Sequence, residues 1–361
     1  MEFGMQFFPD VRTAEKPAKQ YFDESLKLIE LCDPYGYTHI RIVEHYFHHW
    51  GGYSPNPIVF LSAASQRTRT ARMVTGAVLP AFNHPLKLAG EIGMLDAISG
   101  GRLDVGFARA FLPYEFRHFG VSMDESVARF EEGIDQVAQL LEKENVTCKG
   151  RFHSFENVTS LPRPTQKPRP NFYVAAVGTP ESFERAGKMG HWIMAIPGVG
   201  STPSELVQIY REAWRSAGHK GQPKVMLAVF MFCHENRATA VALAKPRIER
   251  HFESISDAVA EHAKGTLSAD YKNYDKMVAK MRQQTFESQV DHHAAFVGTP
   301  KDVIEQLHEF DKAMGGVDHA SLQVNFNDMP YADAERSVRL FGETVIPHFA
   351  GGKWGQIGAR A

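Results

Sequence analysis

Residues 73–107 read MVTGAVLPAFNHPLKLAGEIGMLDAISGGRLDVGF, and their order decides the fold. A short apolar run, Met73 to Leu79, precedes a segment of helical period, Leu86 to Ile98. Ser99-Gly100-Gly101 stops that helix, and Arg102 to Phe107 begins a second apolar run. Two such runs joined by a helix make a parallel βαβ unit, because a parallel crossover needs a helix to return the chain. The pattern repeats outward in both directions. Phe3 to Phe8 is a first strand, followed by a helix whose apolar face carries Tyr21, Leu26, Leu28, Ile29 and Leu31, and Tyr37 to Val43 is a second, with a helix from Pro57 to Arg67. The quoted stretch holds the third and fourth strands, and a long helix from Met123 to Leu141 follows. Phe172 to Ala176, Trp192 to Ile196, Val225 to Phe232 and Ala320 to Phe326 are the fifth to eighth, with helices opened by Thr179-Pro180 and spanning Pro203 to Ala217 between them.

The length of 361 residues matches two or three average domains. Eight strand and helix units instead predict one α/β fold over 1–361, a single (β/α)8 TIM barrel with insertions. Residues 146–164 read as a polar hairpin insertion. Residues 251–293, rich in lysine and glutamine, read as a mobile lid over the active site or a disordered stretch.

Hydrophobic residues make up 43%, charged residues 23% and aromatics 11%, the proportions of a chain that buries a large core. With 40 Lys and Arg against 42 Asp and Glu, no net basic field exists to hold nucleic acid or an anionic membrane surface. Neither a long apolar span nor a secretory leader is legible, and Cys32, Cys148 and Cys233 fit no disulfide framework, so a cytoplasmic setting is expected.

Barrel enzymes carry their active sites at the C-terminal ends of the strands. The second strand runs into Glu44-His45-Tyr46-Phe47-His48-His49-Trp50. Glu44 and His45 read as a general base with its orienting partner. The same histidines and glutamate also read as a metal site, but the first strand end, Phe7-Phe8-Pro9-Asp10, offers no histidine pair to complete it, and no metal is expected. The third end, Thr75-Gly76-Ala77, has small residues that let a flat ring approach the backbone, or that simply pack as strand. At the fourth end Arg109 stands among small and apolar residues, suited to a phosphate or to a salt bridge with Glu115. The fifth end, Ala175-Ala176-Val177-Gly178-Thr179-Pro180-Glu181-Ser182, places an N-cap threonine and a first-turn proline so that hydroxyls and backbone N–H groups form an anion site. Val297-Gly298-Thr299-Pro300 repeats four of those residues where helix capping is sufficient. No Walker loop occurs, and Gly198-Val199-Gly200 lacks the third glycine of a dinucleotide fingerprint, so the chain shows no nicotinamide site of its own. Phe7, Phe8, Tyr46, Trp50, Phe82, Phe111 and Tyr114 near strand ends mark an apolar or aromatic pocket, or barrel core.

With these residues in place, the chain resembles the bacterial luciferase-like flavin monooxygenases along nearly its whole length. The matching stretches are Glu44-His45, His84-Pro85 through Leu95-Asp96, Ser99-Gly100-Gly101-Arg102, Gly106 to Gly120 with Arg109 and Phe116-Arg117, Val297 to Pro300, and Leu322-Gln323-Val324-Asn325-Phe326. Their order and spacing together are specific. The resemblance implies a barrel that binds reduced FMN, lets O2 add at the flavin's 4a carbon and directs the peroxide at a small organic substrate. It implies that His45, with Glu44 beside it, is the catalytic histidine. It also implies that Arg109, Thr179 and Ser182 hold the FMN phosphate. Thr75, Gly76 and Ala77 match the bulged strand end beneath the isoalloxazine, Ala176, Val177 and Gly178 its other wall, and Ala108 and Phe111 border it. The segment 251–293 corresponds to the family's mobile lid, as a dry, closable pocket requires. A separate NAD(P)H:flavin reductase as partner and a homodimer packed through the early helices are implied as well. Ala108, Val177, Pro197 and Tyr46 stand where the luciferase catalytic subunit has cysteine, glutamate, tryptophan and a second histidine, which points to a relative acting on another substrate. A deazaflavin-dependent oxidoreductase on the same fold and a non-catalytic flavin-binding partner subunit are the other readings.

Overall fold

A computed structural model of the chain describes residues 1–176, 178–197, 203–265, 267–272 and 274–350. The first half holds β1 (Glu2–Phe7), α1 (Ala18–Ile29), α2 (Cys32–Tyr35), β2 (His39–Ile42), α3 (Pro57–Ser65), β3 (Arg72–Thr75), α4 (Pro85–Ile98), β4 (Leu103–Phe107), α5 (Pro113–Phe119) and α6 (Ser126–Glu142). A hairpin of β5 (Val146–Lys149) and β6 (Ser154–Val158) follows, then β7 (Asn171–Ala176), α7 (Pro180–Met189), β8 (Trp192–Ala195), α8 (Pro203–Ser216), β9 (Val225–Cys233) and α9 (Arg237–Ala258). The chain continues with α10 (Tyr274–Met281), α11 (Phe286–Asp291), β10 (Ala295–Gly298), α12 (Pro300–Ala313), β11 (His319–Gln323), α13 (Tyr331–Thr344) and α14 (Ile346–Ala350).

Strands β1, β2, β3, β4, β7, β8, β9 and β11 pair in parallel in that order, and β11 pairs back onto β1, which closes the predicted barrel. Alternation along each strand sorts the side chains between two environments. Phe3, Met5, Phe7, Ile40, Ile42, Leu103 and Val105 face outward and join Leu28, Leu61, Leu88 and Ile92 of the helices in one continuous apolar cluster. Each such side chain taken from water contributes about 1.5–3 kcal/mol. The intervening residues fill the barrel. Val74, Tyr173, Met194 and Met226 form a small apolar cluster there. Nearer the C-terminal ends, Gln323, Gln6 and Arg41 lie in register on three adjacent strands, Gln6 pairing with both neighbours.

Local sequence explains where the helices begin and end. Asn56 accepts from Ile58 N and Val59 N, with Pro57 at the first helical position of α3. Gly100 and Gly101 take φ values of 67° and 81°, the left-handed region that ends α4. Thr299 and Asp302 form a capping box on α12, which bears out the capping reading of the second Val-Gly-Thr-Pro.

The structure corrects several expectations. The third strand does not run to Leu79. It stops at Thr75, passes a cis peptide bond between Gly76 and Ala77, and meets β4 again where Val78 N–H donates to Gly106 O at 2.8 Å. The eighth stops at Gln323 rather than Phe326. An additional parallel strand, β10, pairs with Phe230 to Cys233 of the long β9, beyond the residues that β8 reaches. Segment 251–293 is not structureless. It opens inside α9, which continues past Pro246, and proceeds through short 3-10 turns to α10 and α11. Ile255 and Val259, like Val278 and Met281, are spaced to bury one helical face, and all four pack with Phe8, Val43, Trp50 and Leu112 at the barrel mouth. The hairpin within 146–164 is present, its two strands antiparallel and paired with each other rather than with the barrel. Among the described residues no helix is long and apolar enough to cross a membrane.

Candidate active site

A cavity of about 200 Å³ opens at the C-terminal ends of the strands, between the barrel and the segment from α9 to α11. It collects Glu44, His45, Gly76, Ala77, Ala108, Arg109 and Phe111 among the residues singled out from the sequence.

His45 follows the end of β2, and its N–H donates to Ser54 O at 3.1 Å. Its imidazole packs against the paired rings of Trp50 and Phe8, with centroids 4.7 and 5.9 Å away. Nδ1 lies 3.2 Å from Glu115 Oε1, which also accepts from Tyr46 N at 2.9 Å. Glu115 is fully buried in the first turn of α5. Glu115 Oε1 already accepts from Tyr46 N–H, so it meets His45 as an acceptor, Nδ1 is the donor, and Nε2 keeps the lone pair in a histidine that lines the cavity.

The expected pairing of Glu44 with His45 is thereby corrected, and so is the salt bridge between Arg109 and Glu115. Glu44 turns to other donors: Leu79 N at 3.1 Å, Asn83 Nδ2 at 2.9 Å and the Tyr46 hydroxyl. It joins the end of β2 to the loop after β3. Burial pushes its carboxyl up to about 7 against those hydrogen bonds, which favour the anion. Arg109 lies over the Tyr271 ring, 4.4 Å from its centroid, and Tyr271 is anchored by a hydrogen bond from its hydroxyl to Ala110 O.

The remaining described residues lie outside the cavity wall. Thr75 is spent on the sheet, its hydroxyl donating to Gly106 O at 2.9 Å and accepting from Gly106 N at 2.8 Å. Ala176 faces the helices, and its neighbour Ala175 lines the cavity instead. Gly178, Thr179 and Ser182 stand apart at the start of α7, where the Thr179 and Ser182 hydroxyls are 2.9 Å from each other and Thr179 does not cap the helix with its side chain. Val177 lies outside the described residues, as do Gly198, Val199 and Gly200. Among the described residues no group of three or more His, Cys, Asp or Glu side chains converges as a metal site would.

Several cavity residues escape a reading by motif. Gln6, Arg41 and Gln323 form its floor, and His251 reaches it from α9, with Nδ1 3.1 Å from Asp10 Oδ2 and Nε2 accepting from Trp50 Nε1 at 3.4 Å. The floor has a detectable signal: polar residues at the inward positions of otherwise apolar strands.

Residues 1–319 match the family model of the luciferase-like monooxygenases. The chain belongs to this family. Monooxygenase RslO1 from Streptomyces bottropensis is 42% identical, with a TM-score of 0.85 over 97% of this chain and 100% of that one. The oxygenase component of a flavin-dependent trigonelline monooxygenase from Acinetobacter baylyi is 34% identical over 199 residues, 55% of this chain and 54% of that one. Two more distant barrels show the fold alone. One is the oxygenating constituent of 3,6-diketocamphane monooxygenase from Pseudomonas putida in complex with FMN, at 22% identity and TM-score 0.78 over 96% of this chain and 98% of that one. The other is a coenzyme F420 dependent tetrahydromethanopterin reductase from Methanopyrus kandleri, at 20% and 0.68 over 96% and 99%. The protein is a flavin-dependent monooxygenase with its cavity at the C-terminal ends of the strands, where TIM-barrel active sites form.

Proposed function

We propose that this luciferase-like monooxygenase binds reduced FMN, delivered by a separate reductase, and uses O2 to oxygenate a small apolar or aromatic substrate. The observation that carries the reading is that His45, held from behind by the buried Glu115, faces the same cavity as Arg109. The walls suit a flavin. Gly76, Ala77, Ala108 and Ala175 leave room for a flat ring, and a Cβ on Gly76 would run into the Arg41 side chain. Arg109 offers its guanidinium fork to a phosphate, with Thr179 and Ser182 at the start of α7 as further donors. Bound reduced flavin supplies the electrons that activate O2. The chain supplies the rest. His45 holds or moves a proton at Nε2, and Glu115 fixes the tautomer that makes this nitrogen basic. Phe8, Trp50, Phe230, Ile255 and Met281 exclude water and present an apolar surface to the substrate. The α9 to α11 segment acts as the cover.

The oxygenase-component name of the Acinetobacter relative supports a two-component system. A homodimer packed through α3 and α4 accords with Val59, Met94 and Ile98 standing 68%, 48% and 42% exposed, and light scattering at twice the chain mass checks it. Arg109→Ala should weaken binding of reduced FMN at least tenfold, a loss of about 1.4 kcal/mol, in an anaerobic titration. Unchanged affinity would remove the phosphate role, and tight binding of a deazaflavin with none of FMN would favour a hydride-transfer enzyme on the same barrel.

A further inference from the structure

Arg41 is a cation in the cavity floor with nothing negative beside it among the described residues. Its residue is 6% exposed, and no carboxylate among the described residues forms an ion pair with it. Two of its donors are used on neutral acceptors: one Nη on Gln6 Oε1, the other on Gly76 O at 3.0 Å. Nε is buried with no hydrogen-bond partner among the described residues. Gln6 cannot supply charge either, because its amide donates to Gln323 Oε1 at 3.1 Å and Gln323 in turn donates to Phe8 O at 3.1 Å. Burial pulls the guanidinium down to about 10, so it stays charged at neutral pH. A buried charge with spare donors and no counterion is costly unless a ligand completes it.

Arg41 and Arg109 are the two arginines lining the cavity. A reduced flavin nucleotide has two anionic centres, the phosphate and the ring once N1 has lost its proton, whereas the oxidised ring is uncharged. The Arg41 stem lies against Gly76 in the strand end assigned to the flat ring. We propose that Arg41 holds the ionised ring of the reduced flavin, so that the cavity selects the reduced cofactor over the oxidised one. This rests on the flavin reading above. It gives an oxygenase that receives its cofactor from solution a means of choosing the useful redox form, by a charge present on only one of the two.

The test is the ratio of dissociation constants for oxidised and reduced FMN, measured anaerobically on the intact chain. Arg41→Met keeps the stem and removes the charge, and should lower that ratio at least tenfold while oxidised FMN still binds. Arg41→Lys should restore most of the preference, which a purely structural role would not predict. Gln6→Glu leaves Arg41 in place and gives it a counterion, and should lower the ratio as well, so the proposal stays testable if Arg41→Met fails to fold. An unchanged ratio in Gln6→Glu and in a folded Arg41→Met would overturn the proposal and leave the charge to an anionic substrate. A wild-type chain that binds neither form of FMN would overturn the flavin reading itself.

Discussion

His45 and Glu115 are 70 residues apart in the chain and 3.2 Å apart in space, which is why no motif pairs them. The sequence presents Glu44 as the obvious partner because it is adjacent, yet successive residues after a strand point in different directions, and Glu44 is taken up by Leu79, Asn83 and Tyr46. His45→Ala is expected to leave flavin binding intact and lower product formation by about 10²-fold or more, the scale of one lost proton-transfer group. Glu115→Gln should lower the same rate at least tenfold, through the tautomer of His45. Coupled turnover assays with a flavin reductase measure both. Glu44 makes a different prediction. Its folded-state carboxyl, at about 7, lies above the ordinary value of 4.5, so the folded protein keeps a proton that the unfolded chain releases. Its stabilising contribution is complete below about pH 4.5 and is lost as pH rises through about 7. Urea unfolding of wild type and Glu44→Gln should show the variant gaining roughly 3 kcal/mol relative to wild type between about pH 4 and pH 8.

The elements differ in how far their sequences reveal them. The barrel strands are legible because apolar residues repeat on both faces and helices of amphipathic period separate them, so all eight are found with ends wrong by a few residues. The added strand β10 is only four residues long and leads into a Gly-Thr-Pro turn, so nothing in Ala295-Phe296-Val297-Gly298 marks it apart from a helix approach. Its partner is the C-terminal half of β9, a pairing set by tertiary contact and not by local preference. The cover from α9 onward misleads by composition: Lys264, Lys272, Lys276, Lys280 and Gln283 are exposed, while Ile255, Val259, Val278 and Met281 are buried against the barrel mouth. At the start of α12, where reading and structure agree, Thr299→Ala should cost about 1 kcal/mol in urea unfolding by deleting one half of the capping box. Turnover should not change, since the cap is not among the residues that line the cavity.

At the scale of the whole molecule, the closed barrel gives a rigid ring of strand ends, and the α9 to α11 segment gives it a roof. The site is assembled from positions far apart in the chain: Gln6 and Arg41 from the first two strands, Arg109 after the fourth, Glu115 in α5, His251 in α9 and Gln323 at the end of the last strand. The wall of small residues and His45 are legible one strand end at a time. The polar floor shows in the sequence only as single inward polar residues on separate strands, and it takes shape when β11 closes against β1 and sets Gln323 beside Gln6 and Arg41. On the proposed function, this cavity couples reduced FMN and O2 to oxygenation of a substrate held against its apolar wall. The most direct measurement is the mass of products formed from a panel of small aromatic and alicyclic compounds by the chain, FMN, NADH and a separate flavin reductase under isotopically labelled O2. One labelled oxygen atom in a product made by the wild-type chain, with about a hundredth of that product or less made by His45→Ala, is the predicted result. Product that carries no label, or turnover that proceeds without oxygen, would contradict it.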